Sequence, residues 1–379
     1  MEFKPTYQEA IKRKKEFLSL GLREYSNLRN YDYGPDRRHN VSGLSPYINH
    51  GLINIVDLAE ECIDLYGKKN VDKFVSELFW GVYWKGYLEL RPTIWSSFKN
   101  DLEKLSGVRK DLSYKKAVNG KTCIPCFDSW VDELKKHNYL HNHTRMWFAS
   151  IWIFTLKLPW QLGAAFFMEY LFDGDVASNT LSWRWVAGIH TINKAYFASA
   201  KNIQKYSSKR VSQNSLNVDC SVSREDKNHE IIPIDFPTIS NVNNEILIVF
   251  ESSFGLKEFE YHARKFKKIY FVSTDNDCRS LKLDKKVIGF KRKLGFEFIS
   301  KISGKYEVKS INLGNLDSRF MGASAIYPNI GDISDYVKKF DLNYIYSKLD
   351  IISVPKCDAG FFKFKKSIFE IIEKVQKSG

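Results

Sequence analysis

The chain has 379 residues, which sets a prior of about two domains. With 44% hydrophobic and 27% charged residues it reads as a globular protein with a sizeable core, not a disordered or fibrous chain. A formal charge of +14 directs attention to polyanionic partners such as nucleic acid, against the plainer reading of a lysine-rich solvated surface.

The opening residues Met1 to Pro5 contain no apolar run of the secretory type, so a cytoplasmic protein is expected. Up to about residue 205 the pattern is mostly helical. Val75 to Leu88 and Cys126 to Leu140 repeat apolar residues at helical spacing. Met146 to Phe172 is the longest apolar stretch, but Lys157, Pro159 and Gln161 interrupt it. It predicts two buried helices joined at Leu158–Pro159 and no membrane span. All nine tryptophans lie between Trp80 and Trp185, which marks this half as compositionally distinct. Residues 207–244, rich in Ser, Asn and charge, read as a linker. Beyond it, Glu245 to Phe250, Ile269 to Val272 and Val287 to Phe290 read as strands, with a helix over Leu256 to Phe266 between the first two. A small α/β domain is expected over 245–379, ending in an amphipathic helix from Phe361 to Val375. It shows no Gly-rich phosphate fingerprint. The six cysteines are scattered. Only Cys123 and Cys126 have ligand spacing, and no second pair exists, so no metal site is expected.

Four segments carry chemistry. Tyr25 and Arg29 precede Asn40-Val41-Ser42-Gly43-Leu44-Ser45-Pro46, where small hydroxyl residues on a turn offer donors to a phosphate or simply cap a helix. Glu77, Trp80 and Trp84 share a helix face, and an acid beside indoles suits a flat polar aromatic as well as a plain core. In His141 to Met146, Asn142, Arg145 and Met146 share a face, and a buried Arg145 requires an anionic partner. His141 and His143 lack a third ligand, so they do not read as a metal site. Asp173-Gly174-Asp175 reads as a turn that caps a helix, followed by Asn179, Trp183 and Trp185.

Taken in order, these segments resemble the FAD-binding domain of DNA photolyases and cryptochromes over roughly residues 20–206. Val41-Ser42-Gly43-Leu44-Ser45 resembles the family's Thr-Ser-x-Leu-Ser, Glu77 and Trp80 its Glu-x-x-Trp, and Asn142, Arg145 and Met146 its Asn-x-x-Arg-Met. Asp173, Asp175 and Asn179 match Asp-Gly-Asp-x-x-x-Asn, and Trp183 and Trp185 match Trp-x-Trp. The chain departs from the pattern at Val41, where the hydroxyl is lost, at Gly81 and Val82, where the family has Arg and an acid, and at Cys123 in place of a glycine. The α/β segment follows the helical domain, whereas the family's antenna domain precedes it.

The resemblance implies a mostly α-helical photolyase-type FAD-binding domain over 1–206, a linker, and an α/β domain of unassigned role. It implies FAD held by Tyr25, Ser42, Leu44, Ser45, Asn142, Arg145, Asp173, Asp175 and Asn179, with Arg145 and Asp173 paired beside the flavin and Asn179 at its N5. It places Trp80, Met146 and Trp185 against a pyrimidine dimer and Glu77 on the dimer's polar edge. Trp183, Trp160 and Trp95 would relay electrons. Met146, where the (6-4) photolyases have histidine, implies the cyclobutane dimer as substrate. The implied partner is DNA containing pyrimidine dimers, bound by a monomer without a membrane. The alternative implied by the same family is a cryptochrome-like blue-light sensor acting through a protein partner.

Overall fold

Helices carry the chain from Tyr7 to Tyr206, and a five-stranded sheet begins at Ile246. The computed structural model describes residues 2–191, 194–211, 215–221, 228–236, 245–251 and 256–377, the side chains of 256–258 excepted. A helical domain followed by a small α/β domain is the architecture that the apolar periodicities predict.

The central helix of the first half is Lys68–Glu89, 22 residues and therefore about 33 Å long. Val71, Phe74, Val75, Phe79, Val82, Tyr83 and Leu88 are all buried, so apolar residues occupy more than one face. Such a helix must be covered on several sides. Ile55–Tyr66 and Val176–Val186 cover it from the helical half, and Lys348–Ser353 and Phe361–Lys365 from the C-terminal end. Pro125–His137 starts with its proline in the first turn and stops at Asn138, whose left-handed φ of 55° ends it short of the Leu140 expected from periodicity. Met146 to Phe172 does form two buried helices. Asn142–Ser150 continues as a wider turn to Thr155, the chain breaks at left-handed Lys157 (φ 54°) and Pro159, and Trp160–Tyr170 follows.

The sheet is wholly parallel in the order β3-β2-β1-β4-β5, with β1 Ile246–Phe250, β2 Lys268–Ser273, β3 Glu307–Asn312, β4 Ser324–Ile326 and β5 Asn343–Ile345. Central β1 is a continuous apolar run because both faces of a parallel sheet are covered. Val287 to Phe290 is not a strand. It lies within the helix Lys285–Ile302, where Val287, Phe290, Leu294, Phe298 and Ile302 form one buried face and Asp284 caps the first turn. The third strand is instead Glu307–Asn312, an edge strand whose charged, exposed residues hide it from an apolar search and also protect the edge. The terminal amphipathic segment is broken at Lys366 and Ser367 into Phe361–Lys365 and Ile368–Lys377. Of the expected linker, 212–214, 222–227 and 237–244 lie outside the described residues. Its described parts touch both halves: the Asp219 N–H donates to the Phe154 carbonyl at 2.9 Å and that of Ile232 to Leu90 at 2.8 Å, while Phe236 meets the Tyr346 ring edge-on at 5.0 Å.

The two halves meet through polar and aromatic contacts that no local pattern announces. Phe172 stacks on Phe290 at 4.3 Å, and the Arg91 guanidinium donates to the Asp358 carbonyl at 2.6 Å. Buried Glu89 accepts from the Tyr327 hydroxyl at 2.7 Å and from the Ile330 N–H at 2.8 Å. Burial pushes its carboxyl up to about 7, against the opposing pull of those two donors. Because the folded value lies above the unfolded one, the folded state holds the extra proton between them. Stability from this group is full below about pH 4.5 and is lost as pH rises to about 7, by roughly 3 kcal/mol at most. Glu89→Gln is expected to flatten that slope. Urea unfolding at pH 5 and pH 8 checks it, and an unchanged slope in the variant would assign the pH dependence elsewhere.

Candidate cofactor site

The site begins at a turn. Asn40 donates through Nδ2 to the carbonyls of Leu28 and Tyr31 at 2.7 and 2.8 Å, which fixes the entry to Ser42–Ser45. Gly43 takes a left-handed φ of 60°, a conformation that favours glycine, and the Leu44 N–H donates to Ser42 Oγ at 3.3 Å. Leu44 is fully buried, and Ser45 opens the short helix Ser45–Ile48 with Pro46 in its first turn.

Ser45 Oγ donates to Asp173 Oδ2, the same oxygen that Arg145 Nη2 reaches at 2.8 Å. Arg145 Nε donates to the Leu140 carbonyl at 2.9 Å, and its guanidinium lies 5.0 Å from the Tyr139 ring. Asn49 holds the Asp173 carbonyl at 2.6 Å. Three segments far apart in sequence are thus tied at one carboxylate. Asp173 Oδ1 is buried and makes no hydrogen bond among the described residues, an arrangement that normally has a ligand or water to satisfy it. Asp175 caps Val176–Val186 by accepting from the Ala177 and Ser178 N–H groups at 3.0 and 3.1 Å. One turn on, Asn179 donates through Nδ2 to the Ala164 carbonyl at 2.8 Å, which fixes its amide and leaves Oδ1 as the acceptor.

Tyr25 packs edge-on to Phe17 and Phe74. Burial, then the neighbouring Glu77, drives its hydroxyl well above the ordinary tyrosine range, so it stays a neutral donor. Glu77 is bridged to Lys73 at 3.0 Å and to Arg29 at 3.6 Å. Asn142 is exposed at the start of its helix, and Met146 is half-buried. Trp80 does not present a bare ring: Phe361 stacks on it at 3.6 Å with an 11° interplanar angle. Trp185 stacks on Tyr196 at 5.9 Å, and the two indoles share no ring contact among the described residues.

Trp183 is buried among Phe167, Trp152 and Phe148, and its Nε1 has no hydrogen-bond partner among the described residues. Its ring edge approaches Gly163 so closely that a Cβ there would stand 2.3 Å away. Gly163→Ala is therefore expected to push the indole aside and destabilise the fold by about 1–3 kcal/mol, read as a drop in thermal midpoint. An unshifted midpoint would show that the ring is not held there. Trp160 stacks on Phe98 at 5.5 Å and Phe98 on Trp95 at 5.7 Å, while Trp95 Nε1 donates to Asp335 of the α/β half at 2.7 Å. Trp95 and Trp160 thus lie on one aromatic ladder, with a phenylalanine between them.

A buried charge cluster supports the site from behind. Asp32 takes Arg38 bidentately at 2.9 and 3.0 Å, Arg210 at 3.0 Å and Thr144 at 2.7 Å; Glu133 takes the same two arginines. Burial opposes the charge on Asp32, yet Arg38, with His141 and Arg210, holds its carboxyl far below the usual range. These residues come from two loops and the helices Pro125–His137 and Asn142–Ser150, at spacings that match no sequence motif. The one hint is that Asp32 and Arg38 both lie within ten residues before the phosphate-type turn at Ser42.

The family pattern for the FAD binding domain of DNA photolyase matches residues 74–219. Over this segment the chain is similar to the DNA photolyases. Its relatives include the deoxyribodipyrimidine photo-lyase of Streptomyces griseus, 32% identical over 152 residues covering 40% of this chain and 33% of that one. That of Buchnera aphidicola subsp. Baizongia pistaciae is 25% identical over 260 residues, 62% of this chain and 54% of that one. Among solved structures, a bacterial class III photolyase from Agrobacterium tumefaciens aligns at 25% identity and a TM-score of 0.46, over 53% of this chain and 42% of that one. The chain spans about half or less of the length of the photo-lyases it matches. The matched segment is the FAD-binding part, and it contains Glu77 through Trp185 but not Tyr25, Ser42, Leu44 or Ser45. FAD fits what is present at Asp173: a buried acceptor with no hydrogen-bond partner among the described residues suits a group that carries a polar hydrogen on its edge.

Proposed function

We propose that this chain repairs cyclobutane pyrimidine dimers in DNA, driven by light. The observation that carries the reading is the Ser45–Asp173–Arg145 cluster with its unsatisfied Asp173 Oδ1. Two of its three residues, Arg145 and Asp173, lie in the segment that matches the FAD-binding domain, which supports the reading. When bound and reduced, FAD would supply on excitation the electron that opens the dimer, and that electron would then go back to the flavin. The chain's part is to bind, orient and exclude water. Asp173 Oδ1 and Asp175 would accept polar hydrogens of the cofactor, with Ser42, Leu44 and Ser45 near its phosphates. Arg145, held against Asp173, would set a fixed positive charge beside the ring system. Asn179 Oδ1 would accept a hydrogen bond from the reduced ring's N5–H, an interaction that tunes which reduced form is favoured. Glu77 would meet the dimer's polar edge, with Met146 and Trp185 as walls. Its present partners Lys73 and Arg29 are half-exposed, so their hold on it is weak.

One observation favours the sensor reading. Phe361 occupies the face of Trp80 on which a base would stack, and the residues around it are well packed: the Tyr83 hydroxyl donates to the Ala359 carbonyl at 2.9 Å. A sensor needs no open face there. Glu77→Gln discriminates. Under the repair reading, repair yield falls while flavin content and dimer affinity stay within a few-fold of wild type. An unchanged yield removes Glu77 from the lesion side, and no light-driven repair in either protein favours signalling.

A further inference from the structure

The last helices bring an aromatic-basic run to the surface. Phe361, Phe362, Lys363, Phe364, Lys365 and Lys366 are consecutive. Phe361 and Phe364 are buried, the first on Trp80 and the second 5.6 Å from Tyr83. The helical turn that buries them directs Phe362 outward, where its ring is 80% exposed. Lys365 reaches Asp72 at 2.7 Å, which sets this helix beside the first turns of Lys68–Glu89 and their exposed Lys69. Lys69 and Lys366 make no ion pair among the described residues. Lys363 is bridged to Asp358 at 2.8 Å with both partners open to water, so a phosphate can replace that carboxylate at little cost.

We propose that this surface binds a single-stranded stretch of nucleic acid, with Phe362 stacked on a base and Lys363, Lys366 and Lys69 on its phosphates. Every base offers a π face and every linkage a negative charge, which is the combination that an isolated ring among lysines fits. The assignment to DNA rests on the repair reading. Phe361, the ring that covers Trp80, is the residue next to Phe362, so a strand opened around a nucleotide extruded on that side would meet Phe362.

The test uses the full chain and a labelled 16-residue oligothymidylate at two salt concentrations. Phe362→Ala is expected to weaken binding about 5- to 150-fold, the loss of one stacked base, and Phe362→Trp to restore it. Replacing both Lys363 and Lys366 by Gln should reduce the slope of log affinity against log salt by about 1.4, or 0.7 per phosphate. Phe296→Ala, which removes a ring 63% exposed on the Lys285–Ile302 helix, should change nothing. Wild-type affinity in Phe362→Ala, an equal loss in Phe296→Ala, or dependence on Phe362 seen only with phosphatidylserine vesicles would overturn the proposal. If Phe362→Ala binds like wild type while wild type still repairs dimers, this surface falls and the repair reading stands. If Phe362 governs binding in a protein that repairs nothing, the surface stands and the repair reading falls.

Discussion

Asp173→Ala is expected to empty the flavin site and to destabilise the protein. The substitution removes the acceptor shared by Ser45 and Arg145 and leaves the guanidinium without its anion. Breaking a buried pair from one side costs 3–5 kcal/mol, and about 3 kcal/mol is expected here, since Arg145 keeps 22% exposure and can rehydrate. Asp173→Asn keeps the shape but not the charge. It should recover most of the packing and little of the flavin if the carboxylate itself holds the cofactor. Flavin released on denaturation, measured against protein concentration and alongside urea unfolding, separates the two effects. Unchanged flavin content in Asp173→Ala would remove this residue from the cofactor site.

Arg38→Leu carries the other large effect. The Arg38 side chain is 1% exposed and neutralises Asp32 and Glu133 together. Its loss leaves two buried carboxylates to Arg210 alone, with an expected cost of about 3–5 kcal/mol. The pH dependence gives a second readout. Asp32 has a folded value well below its unfolded one, so its stabilisation is present above about pH 3.8 and is lost as pH falls toward the folded value. In Arg38→Leu the carboxyls should take up protons at higher pH, so the acid limb of stability should flatten. A loss under 1 kcal/mol with an unaltered acid limb would show that the cluster does not support the fold in this way.

How legible these features are depends on how local their cause is. β1 is readable because a buried parallel strand is a short unbroken apolar run. Val287 to Phe290 is misleading for the same reason: four apolar residues fit a strand or one face of a helix, and only Leu294 and Phe298, at helical spacing, decide it. Edge strand Glu307–Asn312 has no apolar face to reveal it. In the site, Arg145 demands an anion but does not say which; Asp173 lies 28 residues away, and the family pattern is what pairs them. Asp32, Arg38, Glu133 and Arg210 span 178 residues with no periodic relation. Phe361 over Trp80 is the contact with most bearing on function, and neither residue's neighbourhood foretells it.

Light-dependent repair of an oligonucleotide carrying one cyclobutane thymine dimer, by the reduced protein, tests the central claim most directly. The reading predicts bound FAD near one per chain and restoration of the undamaged strand under blue light, with none in the dark. A protein that holds reduced FAD, restores no dimers in the light and binds damaged and undamaged strands alike would contradict it.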